Sequence, residues 1–292
     1  MDKKYSKNNL KKKRWIKILI VFFAVIFLTS VSFLIFINVK NNIVFERIDT
    51  TAKEVTDDVV KNSTPIIVNN VVVGATYNKQ WVAQESYYFR NESKNNIDID
   101  VYTSEGKKGK YKVTEQIKDD TSPSVIAKTT NPDLTSEFLA VTSSDKNIMT
   151  NPATKIDNVT NEDIETVKDA LGIYKIFNSS VKINSIYNIT LDSLSRGLIY
   201  CVTNEPGTSD AYSAVIYVSN TGDKQIIKYN YINNTKDSSN WPIYDFKFIA
   251  DFNQDGVNEI VLQEIKEFDV DYDIIEYKDK KFTEVLSTSV KI

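Results

Sequence analysis

Apolar residues are distributed along this chain in three ways, and each predicts a different kind of element. The first is an unbroken run. From Ile18 to Ile37 no residue is charged and most are apolar. Twenty residues at about 1.5 Å each make a helix about 30 Å long, the thickness of a bilayer core. Lys3, Lys4, Lys7, Lys11, Lys12, Lys13, Arg14 and Lys17 precede it, and Trp15 fits an interfacial anchor. The run is too long for the core of a signal peptide and no small-residue cleavage site closes it, so it predicts an uncleaved signal anchor. The basic flank then stays in the cytoplasm and the C-terminal part is translocated. A cleaved signal peptide is the competing reading, and it too places the rest of the chain outside.

The second pattern has helical spacing. Val44, Ile48, Ala52, Val55 and Val59 recur every three or four positions with charges between them, which predicts an amphipathic stalk over Asn42 to Ser63. Its stripe either pairs two copies as a short parallel coiled coil, making a homodimer, or docks onto its own ectodomain, or serves as a spacer. It is shorter than three heptads. A second helix is predicted after Thr160, an N-cap followed by acidic first-turn residues. Ile164, Val167, Ala170 and Leu171 share one face of it, and Gly172 is the expected C′ residue.

The third pattern is alternation with a period of two. Ile66 to Tyr77 reads as one strand-forming run that leads through a turn at Asn78-Lys79-Gln80 into Trp81-Val82. Ile97 to Tyr102 and Tyr111 to Val113 flank a Gly106–Gly109 turn, a hairpin signal. Val125–Ala127 and Phe138–Val141 complete this small β region. Lys107, Lys108 and Lys110 cluster at one tip, either to meet teichoic acid or a membrane surface, or simply as a solvated turn. The pattern divides the chain into a basic cytoplasmic tail (1–17), a transmembrane helix (18–39), a helical stalk (40–63), a small β domain (64–150), a helical connector (151–180) and a two-repeat β domain (181–292).

Candidate chemistry lies in the last of these. Asp251, Asn253, Asp255 and Glu259 stand at relative positions 1, 3, 5 and 9, with Gly256 at 6. A hard cation such as Ca²⁺ takes six to eight oxygens, and a short loop supplies them when alternate side chains point inward and a glycine makes the sharp turn. Val257 would add its backbone carbonyl. Position 12 is Leu262 where an EF-hand needs a bidentate Glu, and the flanks alternate as strands do. The alternative is an acidic turn between two strands with no ion. A strand–loop–strand site of this kind resembles the aspartate-rich repeats of the FG-GAP and VCBS families, found in integrin-like propellers and bacterial surface proteins.

A faint internal repeat accompanies the loop. Asp192 and Gly197 precede Asp251 and Gly256 by 59 residues each. Each copy continues into a second strand (Ala211–Tyr217, Asp271–Tyr277), a polar turn and a closing strand (Ile226–Tyr229, Phe282–Val285). The first copy has Leu194 and Arg196 where the second has Asn253 and Asp255, and Arg196 could take the cation's place as a charge partner. Two units are too few for a closed propeller, so either the earlier β region adds blades or the units form a continuous sheet or sandwich. Asp269, Asp271 and Asp273 share one face of a predicted strand, as a further cation site or as the solvated charge of an edge strand. The expected fold class is mainly β (α+β), with a single N-terminal transmembrane helix, a helical stalk, one packed helix and propeller-blade-like antiparallel units.

Charge and residue counts narrow the function. Residues 1–17 carry eight positive charges and one negative, a net of +7; the whole chain is −3, so the remainder carries −10. Bulk attraction therefore gives no nucleic-acid binding. The single cysteine, Cys201, rules out an intramolecular disulfide and sits in an apolar strand. The chain has no histidine, which excludes Ser-His-Asp, Cys-His and HExxH chemistry. No phosphate-binding glycine loop or dinucleotide fingerprint occurs, and the S-x-x-K matches at Ser104, Ser143 and Ser179 lack any accompanying K-T-G. A carboxylate-pair glycan hydrolase stays open. The expectation is a non-catalytic, membrane-anchored surface protein of a low-GC, Gram-positive-like bacterium, with a Ca²⁺-stabilised β ectodomain that binds a protein or cell-wall partner. A sensory or assembly subunit of a membrane complex is the alternative.

Overall fold

Tight turns fold this chain back on itself. Asn69 and Asn70 have φ of 48° and 68°, Asn78 and Lys79 of 46° and 64°, Asp279 and Lys280 of 51° and 61°. Two successive left-handed residues match the right-handed twist of the flanking strands, and Asn and Asp tolerate that conformation best. The computed structural model describes residues 62–91, 96–118, 124–130, 137–143, 147–174, 180–204, 210–233 and 242–291. These residues belong to a compact unit, Glu54–Ile292, and the described residues are mainly β with two helices. The predicted transmembrane helix at 18–39 and the predicted stalk before residue 62 lie outside the described residues. No helix among the described residues is long and apolar enough to cross a membrane.

The Asn69–Asn70 turn divides the first strand-forming run. The run from Ile66 to Tyr77 is two antiparallel strands, β1 (Thr64–Val68) and β2 (Val71–Tyr77), followed by β3 (Gln80–Ala83). Helix α1 (Gln84–Asn91) follows. Its polar sequence has no apolar period to announce it. Buried Tyr87 and a hydrogen bond from Gln84 Nε2 to the Val72 carbonyl (2.7 Å) tie it down. With β4 (Ile97–Thr103), β5 (Gly106–Lys118), β6 (Val125–Thr129) and β7 (Leu139–Thr142), the sheet runs β1-β7-β4-β5-β6-β2-β3, and the β1–β2 pairing closes it into a ring. Ile67, Val72, Ile99, Val101, Val113 and Ala127 fill this barrel. The early β region therefore closes on itself and adds no blades to the later units.

Two four-stranded meanders follow. The first is β9 (Lys182–Thr190), β10 (Arg196–Thr203), β11 (Asp210–Ser219) and β12 (Lys224–Asn233), extended at one edge by β8 (Thr154–Ile156). The second is β13 (Ile243–Ala250), β14 (Glu259–Ile265), β15 (Asp269–Lys278) and β16 (Lys281–Lys291). In both, the aspartate loop joins the first strand to the second. They pack face to face as a sandwich through Ile189, Ile199, Val215, Phe246, Ile260 and Leu262. The other face of the second meander packs Phe248, Val261, Tyr272 and Leu286 against Ile66, Val68, Val73 and Leu139 of the barrel. The second meander is thus the central layer, apolar on both faces, and a register shift between Phe246 and Phe248 lets β13 send one ring each way.

Helix α2 (Asn161–Ile173) covers the outer face of the first meander with Val167, Ala170 and Leu171. Thr160 caps it reciprocally: its hydroxyl accepts from the Asp163 amide (3.2 Å) and its own amide donates to Asp163 Oδ2 (2.8 Å). Tyr200 donates to the other Asp163 oxygen (2.9 Å), so the cap also docks the helix on β10. Gly172 lies inside the helix, and Tyr174 is the C-cap.

Candidate metal centre

The loop between β13 and β14 is held open by its own backbone. Gln254 and Gly256 are left-handed, with φ of 58° and 94°. The Asp255 amide donates to Asp251 Oδ1 (3.0 Å) and Asn253 Oδ1 (2.9 Å), the Gly256 amide to Asp251 Oδ2 (3.1 Å), and the Val257 amide to Asp255 Oδ1 (2.8 Å). Asp251 therefore shapes the loop with both oxygens. Asn253 turns Nδ2 toward Asp255 Oδ2 (3.3 Å). Burial above all, and then the Asp255 charge, raise the Asp251 carboxyl against these amide hydrogen bonds.

Glu259 is the most unusual group. It is 0 % exposed. Oε2 accepts from the Phe252 amide (2.8 Å), whereas Oε1 is buried with no hydrogen-bond partner. Burial pushes the carboxyl up to about 9. The Phe252 hydrogen bond opposes this, while the charges of Asp255, Asp251 and Glu276 add to it. A buried carboxyl oxygen without a partner is costly, and a cation that displaces the proton is the simplest partner for it.

The structure brings together carboxylates that the spacing alone did not. Ligand oxygens of Asp255, Glu259 and Glu276 all lie within 4.8 Å of one another. Calcium–oxygen distances of about 2.3–2.6 Å put opposite ligands about 4.6–5.2 Å apart, so these oxygens fit one calcium shell. Of the five expected ligand residues, Asp255 and Glu259 are in this group; Asp251 is not, and Asp251, Asn253 and Val257 are joined to Asp255 by the loop hydrogen bonds. Glu276 comes from β15. Ile260 pairs with Ile275, so the next step of the register sets Glu259 opposite Glu276. Reading the β14–β15 hairpin register from the sequence would have found it.

Several other acidic residues pair with lysines. β15 lies between β14 and β16, so Asp269, Asp271 and Asp273 are not on an edge strand. Asp273, 1 % exposed, lies 2.9 Å from Lys228 Nζ across the sandwich, and Lys228 also pairs with Glu284. Against its burial, the Lys228 ammonium is raised by both carboxylates. Lys266 pairs with Asp271 and, at 3.6 Å, with Glu264. At the hairpin tip, Lys107 pairs with buried Asp100 (2.8 Å) and Lys108 with Glu105. Cys201 is fully buried, and burial pushes its thiol up to about 12.

The corresponding loop of the first meander is self-contained. Asp192 Oδ1 accepts from the amides of Leu194 and Ser195 (2.7 Å each), and Oδ2 from the Ser195 hydroxyl (3.0 Å). Burial works against this charge, but the hydrogen bonds outweigh it and hold the carboxyl below its usual range. The aligned glycines also differ. A Cβ on Gly197 would meet the Val218 carbonyl at 2.3 Å and the Tyr217 ring at 2.7 Å, whereas Gly256 has open space and a left-handed φ. Asn258 joins the loops, donating from its amide to Leu191 O (2.7 Å) and from Nδ2 to Thr190 O (2.8 Å). A cleft of about 880 Å³ between them is lined by Asp192, Tyr217, Asp255, Val257 and Tyr277 among others. Compared with protein-family models, curated proteins and solved structures, the chain matches none of them.

Proposed function

We propose that this chain is a membrane-anchored, extracytoplasmic, non-catalytic protein whose β ectodomain is stabilised by Ca²⁺ in the 251–259 loop and binds a protein or cell-wall partner. The observation that carries the cation reading is Glu259: a carboxylate sealed from water, with one oxygen unpartnered and two more carboxylates beside it. The resemblance to FG-GAP and VCBS repeats points the same way. The N-terminal basic flank and apolar run support the anchor, and the net charge of −10 after residue 17 argues against nucleic-acid binding.

Glycan hydrolysis is disfavoured by the same burial. A catalytic acid has to touch the glycosidic oxygen, so Glu259, 0 % exposed, does not fill that role, and the reading that this cluster is a hydrolase site loses its most perturbed acid. Calorimetric titration of the detergent-held chain with Ca²⁺ tests the cation reading: heat of binding and a raised melting temperature are expected. No heat and identical melting in EDTA and millimolar calcium would leave only an acidic turn. Protease added to intact protoplasts tests the anchor and should remove the part after residue 40, and full protection would refute that topology.

A further inference from the structure

We propose that Glu276 is a ligand of the divalent cation, held in place by Trp81 of the barrel, so that the bound ion fastens the barrel to the second meander. The inference rests on the reading of the 251–259 loop as a cation site. Glu276 lies outside that loop, seventeen residues beyond Glu259, and reaches it only through strand pairing.

Two like charges placed opposite each other across a strand pair destabilise a sheet. Glu259 and Glu276 take up that arrangement, on the face of the second meander that packs on the barrel. No cation from the chain joins them to form an ion pair among the described residues, in contrast to Asp271 and Asp273, which have Lys266 and Lys228. Glu276 Oε1 instead accepts from Trp81 Nε1 (3.1 Å) and lies 3.4 Å from Asn253 Nδ2. A neutral donor from the barrel thus holds the Glu276 carboxylate in place and leaves its charge uncompensated. The independent sign of a missing ligand is Glu259: its Oε1 is buried and unbonded, and its carboxylate offers an oxygen within 4.8 Å of oxygens of Asp255 and Glu276.

The position of these groups explains what the ion would do beyond steadying its loop. Trp81 is on β3 and packs against the shared core of barrel and meander. Thr76 of β2 donates to the Phe252 carbonyl (3.2 Å), and the Asp251 amide donates to the Ile148 carbonyl (2.9 Å). Barrel strand β2 therefore already touches the loop through a neutral hydrogen bond, and the segment between β7 and β8 adds a second. An ion bound by Asp255 and Glu259 of the loop and Glu276 of β15 ties the Trp81 contact into the same centre.

The test uses the full chain in mild detergent with Trp15 and Trp241 replaced by Phe, so that Trp81 alone emits. Calcium should change the Trp81 emission with the same midpoint as the calorimetric heat. Glu276→Gln, which keeps a hydrogen-bond acceptor for Trp81, should weaken calcium binding at least tenfold and abolish that emission change. Binding by Glu276→Gln within twofold of the parent overturns the inference and leaves the loop reading intact. An absence of calcium heat in the parent overturns both. Should Glu276→Gln not fold, the emission titration of the parent decides alone, and an emission that ignores saturating calcium overturns the fastening of the barrel.

Discussion

Replacing Glu259 by Gln should stabilise the calcium-free protein and abolish its response to calcium. The carboxyl is pushed up to about 9 in the fold, from 4.5 as a free side chain. Below about pH 4.5 it is protonated in both folded and unfolded chains and costs nothing. Between 4.5 and 9 unfolding releases its proton, so stability falls as pH rises, by about 1.4 kcal/mol per unit. Above 9 the cost stays level. At pH 7 the penalty is roughly 3 kcal/mol, which Gln avoids because it is neutral at every pH. For a chain of this size such a gain raises the melting temperature by roughly 6–10 °C. Near-UV circular dichroism melts of both proteins in EDTA, at pH 5, 7 and 8.5, measure the gap, which should widen with pH. Adding about 2 mM calcium should then stabilise only the wild type. With a Kd of about 10⁻⁴ M the linkage gain is about 1.8 kcal/mol. A Gln variant less stable than wild type in EDTA at pH 8.5, or a gap that ignores pH, would refute the claim that Glu259 is an uncompensated buried acid.

Other outcomes follow from single contacts. Asp255→Ala should remove the calcium heat and the melting shift. Asp192→Ala should keep both while losing about 1 kcal/mol of loop stability, because its carboxylate serves only Leu194 and Ser195. Gly197→Ala should cost about 3 kcal/mol or more, since its Cβ meets backbone at 2.3 Å, and Gly256→Ala only about 1 kcal/mol of left-handed strain; denaturant unfolding separates the two. Lys228→Ala should cost about 3–5 kcal/mol, measured the same way, by leaving Asp273 buried without its cation.

Much of this chain was legible before folding because the signals are local. The Thr160 cap and the face formed by Val167, Ala170 and Leu171 are settled by neighbours three or four residues apart. The alternation of Tyr244–Ala250 and the apolar run after the loop mark β13 and β14, and the need for a glycine at position 6 of the loop appears as a φ of 94° at Gly256. What the sequence left open depends on partners far along the chain. Helix α1 has no apolar period and is placed by Tyr87 and Gln84 against the barrel. The run from Ile66 to Tyr77 splits because two asparagines turn left-handed and β1 finds β7, some seventy residues away. Asp273 reads as a surface charge until the two meanders stack and bring Lys228 over it. Glu276 is one of many exposed-looking acids until strand register puts it opposite Glu259 and barrel packing brings Trp81 to it. Period, cap and turn are fixed by a residue's own neighbours. Which charges meet is decided by register and by the packing of faces, and those are properties of the whole fold.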